Sequence, residues 1–146
     1  MEKALSEASD AEALGDVPVG CVIVHPEHGL VSSGRNQREE LQDPTAHAEV
    51  VALRRAAESL GRWRLSDCTL YVTLEPCFMC AGAIVNARVK RVVYAAVDPK
   101  GGACESLASM LTDPRLNHRC EVTSRVLEEE ARLQLKGFFR KRREQS

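Results

Sequence analysis

Apolar residues along the chain occur in two patterns, which predict two kinds of secondary structure. Short runs of β-branched and other apolar residues predict strands at residues 19–24, 30–33, 69–74, 91–96 and 120–123. Pro26 and Gly29 stand between the first two runs and favour a turn, so we expect those two strands to form a hairpin.

Segments with apolar residues at helical spacing lie before, between and after these strands. They predict helices at residues 2–14, 44–60, 76–88 and 126–140. Asp43 and Pro44 are typical N-cap and first-turn residues for the second helix, and Gly61 is a typical stop. Because strands and helices alternate after the hairpin, the pattern predicts an α/β sheet covered by helices on both faces. Catalytic groups are then expected where helix N-termini meet strand ends.

Length and composition indicate one globular domain that spans residues 1–146. Charged residues make up 28% of the chain and hydrophobic residues 44%, which are ordinary values for a soluble protein. No stretch approaches the roughly 18 to 20 apolar residues that span a membrane. Residues 1–15 lack the basic start and apolar middle of a signal peptide, so the sequence predicts a cytoplasmic protein.

Basic residues are concentrated near the end of a chain whose formal net charge is only −1. The segment 136–143, called the basic segment below, contains Lys136, Arg140, Lys141, Arg142 and Arg143. A cluster of this kind can contact phosphate groups. It is also typical of a solvated helix end, where the helix dipole favours cations, and the spacing alone favours this plainer interpretation.

Six cysteines are present, but only Cys77 and Cys80 have the spacing of metal ligands. A disulfide framework is not expected in a chain of this length without a secretory signal. The sequence therefore predicts that the other four are small apolar residues in or near the core, namely Cys21, Cys68, Cys104 and Cys120.

Two short motifs carry the candidate chemistry, and each lies near a predicted helix N-terminus. The first places His47 two residues before Glu49, and the second is a Pro-Cys-x-x-Cys motif that contains Cys77 and Cys80. Two thiolates and one imidazole are suitable zinc ligands, and three protein ligands leave a fourth position for water, as in catalytic sites. We therefore predict a zinc site at the histidine and the two cysteines, with Glu49 as the group that moves protons.

The cysteine pair alone is also compatible with a redox site or with half of a closed structural zinc site. A closed site needs a fourth ligand, and the remaining histidines, at positions 25, 28 and 118, offer no paired spacing. A redox site leaves the His-x-Glu motif without a role. A His-x-Glu motif followed about 30 residues later by Pro-Cys-x-x-Cys is the signature of zinc-dependent nucleobase deaminases, which favours hydrolytic deamination.

Beyond these motifs, the chain resembles the bacterial tRNA-specific adenosine deaminases, the TadA type, over nearly its whole length. The resemblance is carried by residues 17–20, 36, 43–49, 70–77, 79–83, 91–94, 98, 117–119 and 138–140. It implies the cytidine deaminase-like fold, a three-layer α/β/α arrangement with a central mixed five-stranded sheet, and a homodimer. It also implies hydrolytic conversion of the wobble adenosine, position 34 of a tRNA anticodon loop, to inosine, usually in an arginine tRNA.

The resemblance further implies substrate contacts by Asn36, Asp98, Asn117, Phe138 and Phe139. Asn36 would hydrogen-bond the flipped nucleoside, whereas Asp98 and Asn117 would contact the anticodon loop. The two phenylalanines and the basic segment would meet the RNA backbone or neighbouring bases. Without the resemblance, the three polar residues are typical of turns and loop caps and the phenylalanines of a core, although an aromatic ring can also stack on a splayed base.

Two features depart from the usual pattern of this family. Glu105 stands where the family often has glycine, and a carboxylate there either repels RNA or faces solvent. The chain also begins where the family's first helix is already under way. The first helix and the dimer contact are therefore the expectations that this sequence supports least directly.

Two other functions are compatible with the zinc motifs. A deaminase of free guanine, cytosine or a cytidine-like nucleoside would use the same chemistry but would not need a basic segment to bind RNA. A non-catalytic, zinc-stabilised RNA-binding subunit could dispense with the glutamate, so the presence of Glu49 weighs against it.

Overall fold

Five strands form one mixed sheet in the computed structural model, which describes residues 1–145. The strands are β1 (Gly20–His25), β2 (Gly29–Arg35), β3 (Thr69–Leu74), β4 (Arg91–Ala96) and β5 (Glu121–Thr123). Their spatial order is β2-β1-β3-β4-β5. The pairs that include β1 are antiparallel, whereas β3, β4 and β5 run parallel to one another. The predicted hairpin and the predicted mixed five-stranded sheet are both confirmed.

Helices cover both faces of this sheet. They are α1 (Glu2–Ala13), α2 (Arg38–Leu41), α3 (Ala48–Leu60), α4 (Phe78–Asn86) and α5 (Glu128–Gln145), with a 3-10 turn at Met110–Thr112. Helices α1 and α5 contact each other on one face, and α3 and α4 contact each other on the other. This arrangement confirms the three-layer α/β/α fold. Within residues 1–145, each helix is too short or too polar to cross a membrane.

Two glycines on neighbouring strands let the helices approach the sheet closely. A Cβ on Gly20 would overlap the backbone of α1 at Ala4. A Cβ on Gly34 would lie 2.7 Å from the carbonyl oxygen of Ala48 in α3. Gly34 pairs with Cys21, the residue after Gly20, so the two glycines face opposite sides of the sheet. Only glycine permits both helices to lie this near the strands.

The larger core lies between the sheet and the α3–α4 layer. Its fully buried members include Ile23, Leu70, Val72, Ile84 and Val92. The four cysteines that lack ligand spacing are also buried, and every cysteine in residues 1–145 is free of disulfides. This placement agrees with their interpretation as small apolar residues of the interior.

The predicted start of α3 at residue 44 is wrong, because the segment before it forms a turn. The Asp43 carboxylate accepts hydrogen bonds from the backbone N–H and the hydroxyl of Thr45, at 2.8 and 2.7 Å. These contacts compete with helix formation, as is common for Asp. The helix begins at Ala48, with His47 as its N-cap residue. The short helix α2 was not predicted either.

Helix α5 begins later and ends later than predicted. Arg125 and Leu127 have positive φ values of 63° and 56°, which interrupt any helix that would begin at residue 126. The helix then starts with Glu128 and two further glutamates in its first turn, where negative charge is favoured. It continues through the basic segment to Gln145, and Gly137 lies within the helix without interrupting it.

The sheet topology gathers several chain segments at one edge. Glu75 follows β3 directly, and Asp98 follows β4 by two residues; the parallel pairing places both at the same edge. Because β1 is antiparallel to β3, the residue before β1, Val19, reaches this edge together with Asn36, which follows β2. The N-termini of α3 and α4 complete the group.

Candidate active site

His47, Cys77 and Cys80 come together where α3 and α4 begin. Their potential ligand atoms all lie within 4.8 Å of one another. His47 Nδ1 is 3.6 Å from Cys77 Sγ and 3.5 Å from Cys80 Sγ. His47 and Cys77 are the N-cap residues of the two helices, and Cys80 lies one turn into α4. Both positive helix ends therefore point toward the cluster, which favours thiolates.

The cluster has the donor set and the spacing of a zinc site. A tetrahedral ion bound at about 2.3 Å to sulfur and about 2.0–2.1 Å to nitrogen separates those two ligand atoms by about 3.6 Å. The nitrogen–sulfur distances here, 3.5 and 3.6 Å, agree with that value. His47 and Cys77 line an open pocket, whereas Cys80 is buried behind them. Three protein ligands beside an open pocket are typical of a catalytic rather than a closed structural site. The residues present are thus compatible with zinc.

Of the three side chains, Cys77 ionises most readily. Hydrogen bonds from Cys80 and His47 lower the pKa of Cys77 to about 3, so this sulfur is a thiolate at neutral pH. The hydrogen bond with Cys77 in turn raises the pKa of His47. A thiolate of this kind is the form of cysteine that binds metals. Its hydrogen bond with Cys77 and its burial raise the pKa of Cys80, so a metal would have to displace the Cys80 proton.

Glu49 lies in the first turn of α3, beside this cluster. Its side chain is buried, and burial raises its pKa to about 7, although the charge of His47 opposes the rise. It lines the same pocket as His47 and Cys77. A carboxyl group that can both bind and release a proton near neutral pH is suited to general acid–base chemistry.

The pocket at this edge of the sheet has a volume of about 250 Å³. Pockets that bind drug-sized ligands measure about 300–1,000 Å³. This pocket is slightly smaller, so it suits one nucleobase with part of its sugar. Val17, Val19 and Leu74 supply apolar walls, whereas His47, Cys77 and Glu49 are among the polar lining residues. Any polymer that carries the base must remain outside the pocket.

Asn36 lines this pocket and also caps α3. Its side-chain oxygen accepts a hydrogen bond from the backbone N–H of Ala48 at 3.0 Å, and its amide nitrogen donates to the carbonyl oxygen of Val17 at 3.2 Å. An amide nitrogen carries two protons, so one proton remains available to a ligand. Asn36 therefore holds the helix that carries Glu49 and offers one donor to the pocket.

Asp98 lines the pocket from the loop after β4. One of its carboxylate oxygens accepts hydrogen bonds from the backbone N–H groups of Lys100 and Gly101, at 3.3 and 3.2 Å. Asp98 therefore acts in part as a turn residue, as its residue type predicts.

Of the three remaining residues that were predicted to contact the substrate, the structure places one in the pocket lining. Phe139 lines the pocket and is 45% exposed. Phe138 is buried against Arg142 and the groove beside α1, which agrees with the core interpretation. Asn117 is exposed in the loop before β5, outside the pocket lining. Contacts of Phe138 and Asn117 with a substrate remain predictions.

Glu75 lines the pocket, and the sequence interpretation gave it no role. Burial alone would raise its pKa, but hydrogen bonds from the Ser106 hydroxyl and from the backbone N–H groups of Asp98, Ser106 and Glu105 lower it to about 2. The carboxylate is therefore charged although it is only 2% exposed. Its position directly before the Pro-Cys motif is the sequence feature that could have indicated a role in the site.

Arg38 and Asp16 are a second pair that the sequence interpretation missed. Arg38 contributes to the pocket lining from the start of α2. Asp16 is buried; its carboxylate accepts the N–H of Val17 at 2.9 Å and the N–H of Glu39 at 3.0 Å, and lies 3.9 Å from Arg38 Nε. Asp16 thus joins two segments of the pocket wall across about 20 residues of sequence, which no local pattern reveals.

Glu105, the residue that stands where the sequence pattern usually has glycine, forms hydrogen bonds with two side chains. It accepts two hydrogen bonds from the Arg125 guanidinium, at 3.2 and 3.0 Å, and one from the Tyr94 hydroxyl. These contacts lower the pKa of Glu105. Glu105 is not part of the pocket lining, so its charge does not face a bound base.

The chain has known relatives that share this architecture. It matches the family of MafB19-like deaminases over residues 1–143. It is 50% identical to the tRNA-specific adenosine deaminase of Haemophilus influenzae over 145 residues, which cover 99% of this chain and 84% of that relative. The tRNA-specific adenosine deaminase of Bacillus subtilis is 48% identical over 143 residues, which cover 98% of this chain and 88% of the relative.

A solved structure from work on A-to-I editing by tRNA:A34 deaminases at the wobble position superposes with a TM-score of 0.88. It is 45% identical, and the match covers 92% of this chain and 97% of that chain.

Proposed function

Because the chain belongs to the family of tRNA-specific adenosine deaminases, we propose that it converts the wobble adenosine, position 34 of a tRNA anticodon loop, to inosine. The reaction is a hydrolysis in which water replaces the C6 amino group and ammonia leaves. One observation carries the proposal: the His-Cys-Cys cluster and the buried Glu49 meet in a pocket of about 250 Å³. The proposed substrate is an arginine tRNA.

His47, Cys77 and Cys80 are the proposed ligands of one zinc ion per subunit. When bound, zinc supplies the Lewis acidity that makes water a competent nucleophile near neutral pH. The His47 imidazole and the two sulfur atoms would hold the metal beside the pocket, where α3 and α4 begin. Since all three come from the starts of rigid helices, the metal position is preorganised.

Glu49 is the proposed proton carrier. Its buried carboxylate takes a proton from the attacking water and delivers it to the ring nitrogen next to C6. It then takes the second proton from the new C6 hydroxyl and delivers it to the amino group, which leaves as ammonia. The attacking oxygen thereby becomes the carbonyl oxygen of inosine. A carboxyl group with a pKa raised to about 7 can accept and return these protons at neutral pH.

Substrate binding requires that the adenosine leave its base stack. An anticodon loop is already open, so the cost of extruding a base is small there. We propose that the free amide proton of Asn36 and the carboxylate of Asp98 orient the nucleoside, and that Phe139 stacks on a neighbouring base at the rim. The basic segment and Asn117 would contact the rest of the loop, with Phe138 supporting Phe139 from beneath.

We further propose that the enzyme is one domain, a homodimer, and cytoplasmic. Residue 146, which the domain prediction includes, lies outside the described residues. A dimer is supported by an apolar groove between α3 and α4, which is lined by Val50, Leu53, Trp63 and Ala83 and in which Trp63 is 60% exposed. An apolar surface of this kind typically binds another protein.

The deciding experiment is mass spectrometry of an arginine-tRNA anticodon stem-loop after incubation with the purified, zinc-loaded chain. We expect a gain of about one mass unit at the wobble adenosine, as deamination requires. If the wobble adenosine stays unchanged while guanine, cytosine or a free nucleoside is deaminated, the chain acts on small molecules instead. Activity of the purified chain alone also excludes a role as a non-catalytic subunit.

Replacing Phe139 with alanine should weaken binding of the stem-loop. Base–aromatic stacking contributes about 1–3 kcal/mol per base, so KM should rise about 5- to 150-fold with a smaller change in kcat. Leu133→Ala is the matched control, because Leu133 is exposed on the same helix away from the pocket. Steady-state kinetics on the stem-loop measures both values, and equal KM values for the two variants would contradict a stacking role.

Removing two charges from the basic segment should reduce the salt dependence of binding. Arg140 and Lys141 are exposed, whereas Arg142 donates to the carbonyl oxygen of Gly15 and packs on Phe138. For R140Q/K141Q, the slope of log affinity against log salt should decrease by about 1 to 2, since each lost phosphate contact removes about 0.7–0.9. Lys3→Gln, an exposed charge on α1, is the control. A slope equal to that of the control would show that these charges do not touch RNA.

A further inference from the structure

A buried carboxylate that takes no part in the proposed chemistry holds one wall of the pocket together. Glu75 accepts five hydrogen bonds, all from the loop of residues 98–106, called the pocket loop below. One oxygen accepts the N–H of Asp98 at 2.9 Å and the hydroxyl of Ser106. The other accepts the N–H groups of Cys104 at 3.0 Å and of Glu105 and Ser106 at 2.9 Å. All five partners are donors, so only an ionised carboxylate satisfies them all.

The backbone of the pocket loop is shaped around this carboxylate. A Cβ on Gly102 would overlap the carboxylate atoms of Glu75, so the loop passes too close for any side chain there. The N–H of Ala103 donates to the carbonyl oxygen of Pro76 at 2.8 Å, and Gly102 forms an isolated β-bridge with Cys77. The pocket loop is thus attached to the segment that carries a proposed metal ligand.

We infer that Glu75 is a positioning residue, which fixes the pocket loop so that Asp98 already stands in the pocket wall before the substrate arrives. The inference rests on the proposed function only for the identity of the substrate. The loop itself is placed by hydrogen bonds that exist without any ligand. A wall that is fixed in advance lowers the entropy lost on binding, so Glu75 acts on affinity rather than on the chemical step.

Glu75→Gln tests this role with little change in side-chain volume. An amide has a single acceptor oxygen, so its NH2 group must face either the N–H of Asp98 or the three N–H groups of Cys104, Glu105 and Ser106. Either orientation leaves a buried donor opposed by another donor. We expect KM for the stem-loop to rise about tenfold or more, with kcat within about threefold of the unaltered enzyme and zinc content unchanged. Glu129→Gln, an exposed carboxylate on α5, is the matched control.

Gly102→Ala tests the same contact from the opposite side. The added methyl group must displace the Glu75 carboxylate, so this variant should reproduce the rise in KM while Glu75 itself is retained. Gly82→Ala is the matched control, because the nearest atom to a Cβ at that position of α4 is Met110 Cε at 3.9 Å, an ordinary contact distance. Ser106→Ala removes one of the five hydrogen bonds and should produce a smaller rise.

Amide hydrogen exchange provides a readout that does not need activity. In the zinc-loaded enzyme, the N–H groups of Asp98, Cys104, Glu105 and Ser106 should be protected, and E75Q should lose protection at one side of the carboxylate at least. Unchanged protection, or a fall in kcat at constant KM as expected from partial unfolding, would overturn the inference. Lost protection in a protein that does not deaminate the stem-loop would instead refute the proposed function and leave the role of Glu75 in the loop established.

Discussion

Glu49→Gln is expected to lower deamination of the anticodon stem-loop by about 100- to 10,000-fold, the usual contribution of a general acid–base group. Glutamine fills nearly the same buried volume but cannot accept a proton from water or return one to the ring. The metal ligands are untouched, so zinc content should stay at one per chain. Single-turnover formation of inosine, measured together with the metal content of the same sample, separates chemistry from metal loss.

Glu58→Gln is the matched control for this experiment. Glu58 lies on the same helix, α3, but is exposed and outside the pocket lining. It should retain the rate of the unaltered enzyme. If E49Q were as active as E58Q, Glu49 could not be the proton carrier, and another group would have to move the proton.

The second large effect is expected from Cys77→Ala. The two remaining donors, His47 and Cys80, leave a site with too few ligands for stable zinc binding. We expect the purified variant to contain little zinc and to lack deaminase activity. Its thermal unfolding should also occur at a lower temperature, because metal binding to the folded state stabilises that state.

Cys120→Ala provides the control for this loss. Cys120 is buried and free, like the other cysteines that lack ligand spacing, and it is not part of the metal cluster. It should retain zinc and activity, with a modest loss of stability from the smaller side chain. Retention of zinc by C77A, measured by atomic absorption after dialysis, would show that the assigned ligand set is wrong.

The metal cluster could be predicted because its residues have the types and the local spacing of metal ligands. Cys77 and Cys80 are neighbours on one turn of a helix, and Glu49 lies two residues after His47. Thiolates and an imidazole that precede helices have few structural roles, so their residue types alone indicate a metal. The strands and most helices were likewise evident from the spacing of apolar residues.

The start of α3 could not be predicted in the same way. Asp43 and Pro44 have the residue types of a helix start, yet the helix begins at Ala48, whose N–H is bonded by Asn36 from 12 residues away. A cap supplied by a distant side chain leaves no pattern near the helix itself. Asp16 and Glu75 were missed for the same reason. Asp16 accepts a hydrogen bond from the N–H of Glu39, and Glu75 accepts one from the N–H of Asp98, each 23 residues away in sequence.

The sequence also could not show which of two adjacent phenylalanines faces the pocket. Phe138 and Phe139 stand about 100° apart around α5, so both cannot face the same surface. The packing of α5 against α1 and the sheet buries Phe138 and turns Phe139 toward the pocket. Nothing in the local sequence distinguishes the two rings, because the choice depends on the rotation of the helix against its neighbours.

Local spacing and residue chemistry were therefore enough to indicate the fold class, the candidate metal ligands and the proposed proton carrier in this chain. The shape of the pocket depended on contacts between distant segments. The parallel pairing of β3 with β4 brings Glu75 and Asp98 to one edge, and the buried Glu75 carboxylate then holds the pocket loop that begins at Asp98. Hydrogen bonds between residues so far apart in sequence form only after the sheet and its helices have packed, because the chain entropy they cost is recovered by that packing.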